Sequence, residues 1–406
     1  MKDEYDFSTM KAKPNPYATK QKNRSLFGWT KMSWVKKITA GLLVLMMSLS
    51  FAHADKRFHV EHLAKGLGVV WGMDFVSPHQ LVFTQRSGEA GLLDMRNGEI
   101  SWLQGLPRVA NVRQGGLLDV KFLPDDGFGD GHNQAWLYFT YSYPDEFGAR
   151  TTLARAQLPD LTQTNRLQNW QDLLITDSAT GSGLHFGSRI AFDDQGYVFF
   201  GVGDRGERLQ SQNTQNHIGT IMRLHLDGRV PKDNPFVGNP EVLDEIWSFG
   251  HRNPQGMAFD FATGRLWSNE HGPRGGDEIN LIQPGENYGW PLVSQGQEYW
   301  GDQAIGVTSK LGMVDPVKVF TPSIAPGSLL VYRGAAFPQW QGSLFSGALV
   351  LRHLNRVTLN KQGEALAEER LLTELNERIR ALAVDHQGFI YVSTDSGQIL
   401  RLRPVD

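Results

Sequence analysis

Cysteine is absent from the 406 residues. That absence excludes disulfides, thiolate metal sites and cysteine nucleophiles. Excess charge of one sign is missing as well: 40 Lys and Arg stand against 43 Asp and Glu, a formal net charge of −3. Such a balance gives no reason to expect nucleic acid or an acidic membrane surface as a partner. Long apolar runs are lacking. The one inside "KKITAGLLVLMMSLSFAHA", Lys36 to Ala54, is shorter than the roughly 20 residues a spanning helix needs. Helical periodicity is confined to "AEERLLTELNERIR", Ala367 to Arg380, which also reads as a strand with a charged loop. No glycine-rich nucleotide fingerprint occurs in a strand-turn-helix context, which argues against a nicotinamide cofactor.

What is present points to strands. Forty-four Gly, 11 Trp and 22 Phe suit many short strands joined by tight turns. The stretch Lys36 to Ala54 has a basic start, an apolar centre and an Ala-His-Ala end. That is the pattern of a secretory signal cleaved after Ala54. Residues 1–31 would make a long polar leader, whereas a start at Met32 would give a signal of ordinary length. The expected division is an N-terminal extension and signal over 1–54 and a single domain over 55–406, with no stable membrane span in the mature protein. An exported chain without thiols is most simply a bacterial periplasmic one.

From Val69 onward one pattern recurs: an apolar strand, often a carboxylate-containing turn, then an aromatic-rich strand. It begins at Val69, Leu117, Arg189, Gly256, Gly334 and Ala381. Each passage alternates apolar and polar residues near period two. About 350 residues over six units is about 58 each, more than the roughly 40–50 of compact propeller repeats. The pattern predicts an all-β fold, a six-bladed β-propeller with long inter-strand loops, against a large β-sandwich as the structural rival.

Five segments carry polar residues that regular strands do not require. In "VRQGGLLDVKF", Gln114 brings an amide to a glycine-rich strand entrance, as a ligand contact or as part of a turn. In "HFGSRIAFD", His185 stands before a strand between Gly183 and Gly187. An imidazole there is matched to taking a proton near pH 7, although a loop histidine is often structural. In "GHRNPQGMAFD", Arg252 and Asn253 precede a proline that favours extended geometry, and Arg252 would meet an anionic oxygen or an inter-blade carboxylate. In "SNEHGPRGGDEINLIQPGENYGWP", Gly272-Pro273, Gly275-Gly276, Asp277-Glu278 and Tyr288 combine backbone carbonyls with carboxylates, which is hard-cation chemistry favouring Ca²⁺. Finally Arg352, Arg378 and Arg380 form a basic set suited to a ligand with carboxylates, or a solvated charged edge.

Taken in order, "QGGLLDV", "HFGSRIAFD", "GVGDRGER", "QNTQNHIGTIMRLHLDG", "GHRNPQGMAFD", "GPRGGDEINLI" and "NYGWP" make the chain resemble the soluble glucose/sorbosone dehydrogenase family, the pyrroloquinoline quinone (PQQ)-dependent aldose sugar dehydrogenases. The resemblance runs over nearly all of the chain after the signal and implies a six-bladed propeller. It implies PQQ and Ca²⁺ as cofactors and an aldose as the small-molecule substrate. His185 falls on the general base that deprotonates the anomeric hydroxyl while hydride passes to the quinone. Arg252, which would stabilise charge on the quinone oxygen, and Asn253 fall on cofactor contacts, as do Gln114 and Tyr299. Gly272 and Pro273 match backbone-carbonyl ligands of the Ca²⁺ that holds the quinone, and Glu278 and Tyr288 match a second, structural Ca²⁺ site. Arg378 and Arg380 match the arginines that meet the cofactor's carboxylates.

Two positions depart from the family pattern. Some members carry a carboxylate immediately before the base, where this chain has Leu184. Another partner would then have to orient the imidazole. Many carry a lysine near Val350, for which Arg352 would substitute. A Ca²⁺-dependent lactonase and a non-catalytic binding propeller are the competing readings. The preferred sugar, the electron acceptor and the choice between monomer and homodimer are open at this level.

Overall fold

The period-two alternation folds into six antiparallel four-stranded sheets. The computed structural model of the chain describes residues 57–124, 135–158 and 164–405; the expected signal, residues 1–54, lies outside them. Each sheet is one blade of a propeller. The inner strands, in chain order, are Val70–Ser77, Leu117–Leu123, Ile190–Phe192, Pro254–Asp260, Pro326–Val331 and Ile379–Val384. Blades 1 to 5 are sequential meanders. Blade 6 is built from both ends of the domain: Phe58–Ala64 pairs antiparallel with Ile399–Pro404, Phe58 opposite Pro404 and His62 opposite Leu400. The shared blade fastens the two ends of the domain to each other and closes the ring, while each sheet keeps only short edges of its own.

The alternation is used on both faces. In Tyr197–Val202 of blade 3, Val198, Phe200 and Val202 pack with Tyr138 and Leu153 of blade 2. Phe199, pointing the other way, packs with Met257 and Leu266 of blade 4. Successive side chains of a strand alternate sides, so each blade fills two inter-blade cores. Six such cores ring the channel.

One expectation shifts in detail, and one open alternative is decided. The fifth repeat does not start at Gly334. Its inner strand is Pro326–Val331, and the stretch after Gly334 is a loop with a short 3₁₀ turn, Pro338–Trp340. Its apolar residues, Phe337 and Trp340, are buried as a plug rather than as a strand. Of the two readings of the run Ala367 to Arg380, the strand with a charged loop holds. The run is the end of strand Ala365–Leu371, a 3₁₀ turn Thr373–Leu375, and the start of Ile379–Val384. The long loops are residues 226–245 in blade 3 and 283–317 in blade 4.

The channel is closed by one side chain. Arg189, at the entrance of the blade 3 inner strand, donates to Asp119 Oδ1 of blade 2 at 2.9 Å, to Gln255 O of blade 4 at 2.8 Å, to Gly327 O of blade 5 at 2.7 Å and to Arg380 O of blade 6 at 3.0 Å. Its guanidinium lies 3.9 Å from the ring centroid of Trp71 in blade 1. Burial lowers its pKa to about 10, with Asp119 opposing that fall, so it stays charged at neutral pH. A five-donor planar fork is the side chain able to serve so many acceptors at once. Replacing Arg189 with Met strands the buried Asp119 carboxylate. Unfolding free energy is expected to fall by about 3–5 kcal/mol. Chemical denaturation checks this, and adding Asp119→Asn should recover part of the loss.

Candidate active site

The loops that enter the inner strands meet at one rim of the channel. His185 sits in such a loop with φ +50°, a left-handed conformation that costs a non-glycine residue energy and needs support. Support comes from all sides. The His185 N–H donates to Gln114 Oε1 at 2.9 Å. Arg205, fully buried, donates to Leu184 O, and also to Ala149 O at 3.0 Å, with its guanidinium 3.5 Å from the Phe186 ring centroid. Gly187 has φ +63°, and a Cβ there would meet Gly201 O at 2.6 Å. Asn253 Oδ1 accepts from Gly187 N at 3.2 Å. Gln114 and Asn253 thus converge on the His185 loop.

The partner that Leu184 cannot supply is Asp204. Its Oδ1 lies 2.5 Å from His185 Nδ1 and also accepts Gly206 N at 2.8 Å, while Oδ2 accepts Trp290 Nε1 at 2.8 Å. The Asp204 side chain is 1 % exposed and that of His185 14 % exposed. For this coupled pair we take the carboxylate as ionised and the imidazole as neutral. Burial pushes the His185 pKa down, Arg252 adds to the fall, and Asp204 only partly opposes it. Burial pushes Asp204 up, but His185, Arg252 and the Gly206 N–H hold it at about 2. With Asp204 ionised, Nδ1 carries the proton and Nε2 keeps its lone pair, the tautomer of a general base.

Arg252 is buried beside this pair. Its N–H donates to Glu270 Oε2 at 2.6 Å and its Nη1 to His271 O at 3.0 Å. Its Nε is buried without a hydrogen-bond partner. Arg252 lines a narrow cavity of about 10 Å³ together with Gly272, Pro273, Glu278 and Tyr288, so the four expected metal residues border one small space. Asp277 accepts Gly272 N at 2.8 Å and Ala325 N at 2.6 Å, fixing the Gly272-Pro273 turn. Burial and the neighbouring Glu270 push Glu278 up to about 8, because low dielectric and a like charge both disfavour the ionised carboxylate. Among the described residues no group of three or more His, Asp or Glu side chains is arranged to hold a metal. A cation here would therefore draw on backbone carbonyls, which suits a hard oxygen-seeking ion.

Tyr299 lies on the 297–302 loop, half-buried. Arg274 pins that loop by pairing with Gln297 in both backbone directions and donating to Asp302 Oδ1 at 2.6 Å. Arg378 and Arg380 both reach Asp395, Nε to carboxylate at 2.8 Å in each case. Burial would raise the Asp395 pKa, but the two arginines hold it at about 2. Arg86 feels the same two arginines, so three guanidinium groups stand against one carboxylate at this corner. Arg352 is exposed in the turn between strands Leu344–Ala348 and His353–Leu359, beside exposed Val350. Arg378 Nη1 ties that turn by donating to Leu349 O at 2.9 Å. A wider cleft lined by Phe122, Phe192 and Phe261 opens at the far ends of the inner strands and contains none of these residues.

The glucose/sorbosone dehydrogenase profile matches residues 67–401. The chain belongs to this family. It is 35 % identical over 370 residues to the aldose sugar dehydrogenase YliI of Escherichia coli, covering 89 % of this chain and 98 % of that protein. Quinoprotein glucose dehydrogenase B of Acinetobacter calcoaceticus is 26 % identical, covering 84 % of this chain and 85 % of the relative. The crystal structure of the soluble aldose sugar dehydrogenase of E. coli in its apo-form superposes with a TM-score of 0.79 at 35 % identity, covering 86 % of this chain and all of that one. Membership makes the chain a relative of aldose and glucose dehydrogenases and an oxidoreductase by family. No helix among the described residues is long and apolar enough to cross a membrane.

Asp204, Arg205, Glu270, His271, Trp290 and Asp395 were not singled out from the sequence. Asp204 and Arg205 stand in the polar turn "GVGDRGER", and Glu270, His271 and Trp290 in the stretch Ser268 to Pro291, so only Asp395 lay outside the segments that stood out. A histidine-selective NMR titration should give His185 a midpoint below the ordinary 6.5. In Asp204→Asn the midpoint should move lower still, because the carboxylate that favours the imidazolium is lost. A midpoint that rises in this variant would contradict the assignment.

Proposed function

We propose that the protein oxidises aldoses at the anomeric carbon to lactones, with PQQ as hydride acceptor and Ca²⁺ held at the Gly272-Pro273 carbonyls. The observation that carries this reading is the His185–Asp204 pair: an ionised carboxylate fixes Nδ1–H at 2.5 Å and leaves Nε2 basic on a side chain that remains partly accessible. Nε2 takes the proton of the anomeric hydroxyl as the C1–H bond breaks and the C1=O bond forms. When bound, the quinone receives the C1 hydride, so that sugar loses two electrons and two hydrogens in all. Asp204 keeps the imidazole in the right tautomer and stabilises the imidazolium that forms.

The remaining residues bind and polarise. Arg252, buried and with Nε unpartnered, offers donors where negative charge develops on a bound oxygen, the position at which preorganised charge is most effective. Gln114 and Asn253 hold the base loop and border the cofactor. Arg378 and Arg380, with Arg352 at the adjoining turn, give the positive field that PQQ carboxylates require, and Tyr299 closes the other side. Glu278 and Tyr288 hold a second, structural Ca²⁺. The relatives named as aldose sugar dehydrogenase and quinoprotein glucose dehydrogenase support the choice of substrate class and cofactor. We further propose that residues 1–54 direct export, with cleavage after Ala54, and that the enzyme works in the periplasm.

The test is dye reduction by the purified protein with glucose and other aldoses after addition of PQQ and Ca²⁺. Activity is expected only with both. His185→Gln should lower kcat by about 10²–10⁴-fold, the usual worth of a positioned base, while PQQ titrated by absorbance binds within about twofold of wild type. Turnover equal to wild type would refute His185 as the base, and no quinone binding by the wild type would refute the function.

A further inference from the structure

Glu270 closes the strand Arg265–Glu270 and stands directly opposite Glu278 in the neighbouring strand. Like charges at directly opposed positions repel, and here both side chains line the same small cavity. Each oxygen of Glu270 has a separate duty. Oε2 accepts the backbone N–H groups of Arg252 at 2.6 Å and Asn253 at 3.3 Å. Oε1 accepts Asn280 Nδ2 at 3.0 Å and meets His251 Nδ1 at 3.1 Å.

Those two groups lead straight back to the expected structural cation site. The same Asn280 Nδ2 donates to Glu278 Oε2 at 3.2 Å, and Asn280 Oδ1 is buried with no partner. His251 stacks on Tyr288, ring centroids 4.6 Å apart and planes at 22°, and its Nε2 is anchored by Ser248 Oγ at 2.9 Å. Two independent paths therefore run from the residues of one site, Glu278 through Asn280 and Tyr288 through His251. Both end on one oxygen of a carboxylate whose other oxygen holds the Arg252-Asn253 peptide.

We infer that Glu270 is a positioning residue that couples occupancy of the Glu278–Tyr288 cation site to the affinity of the quinone site. The inference rests on the reading of Arg252 and Asn253 as quinone contacts. A cation at Glu278 and Tyr288 offsets the Glu270–Glu278 repulsion and fixes both paths. Glu270 then holds the Arg252 and Asn253 amides, and the Arg252 guanidinium is presented to the cavity. Without the cation, Glu278 turns away from Glu270, Asn280 loses one of its two acceptors, and the Arg252-Asn253 turn loosens. Coupling of this kind is a free energy shared between two sites through groups that both of them bias.

The experiment uses the full chain and separates this cation from the one at the quinone. Glu278→Gln removes a carboxylate from the structural site and leaves the Gly272 and Pro273 carbonyls in place. In saturating Ca²⁺, PQQ titration of Glu278→Gln is expected to show affinity lowered about tenfold, with Asn280→Ala lowering it similarly. The double variant should be no weaker than the worse single one, because Glu278→Gln already unloads the path that Asn280→Ala cuts. Glu278→Asp should recover most of the affinity. Hydrogen–deuterium exchange of residues 249–256, read without quinone, should slow on Ca²⁺ addition in the wild type and not in Glu278→Gln. Wild-type-like quinone affinity in Glu278→Gln, or additive losses in the double variant, would overturn the coupling while leaving the dehydrogenase reading intact. A wild type that binds no quinone would overturn both.

Discussion

One buried guanidinium makes six blades into one object. Arg189 touches a group from every other blade, and the channel that a propeller leaves open along its axis is plugged there. The consequence is a floor. The loops that enter the inner strands gather over the rim above it. Two of the carbonyls that Arg189 holds, on Gln255 and Arg380, belong to the segments that carry Asn253 and the basic corner. The floor and the site are therefore parts of one hydrogen-bonded assembly.

Much of the fold is legible because period two is a strong signal and each blade uses both phases of it. Val198, Phe200 and Val202 serve one core while Phe199 serves the next. The misplaced start of the fifth repeat has a plain cause. Phe337 and Trp340 look like strand residues in composition, yet their burial is that of a loop folded inward. Closure of blade 6 by Phe58–Ala64 carries no local signal, since nothing in a strand's own residues says that its partner lies more than 300 positions away.

The site divides in the same manner. Residues set in conspicuous loops, namely His185, Arg252, Asn253 and Gln114, are visible because regular strands do not need them. Their supports are not. Asp204 meets His185 across 19 residues, Glu270 meets Arg252 across 18, and Asp395 meets Arg380 across 15. Such pairings follow from the pitch of the blades and not from any spacing rule. The missing carboxylate at Leu184 illustrates the point: the partner of the His185 imidazole comes from another loop, as Asp204.

The shared sixth blade also sets an order of events. Strand Phe58–Ala64 is made first and its partner Ile399–Pro404 last, so the ring cannot close until the whole domain is free to fold. Contacts that far apart in sequence carry the largest loop-closure cost and form late. Arg189 acquires its acceptors at Arg380 only when blade 6 has docked. An incomplete chain therefore has neither a closed ring nor the full set of acceptors around Arg189.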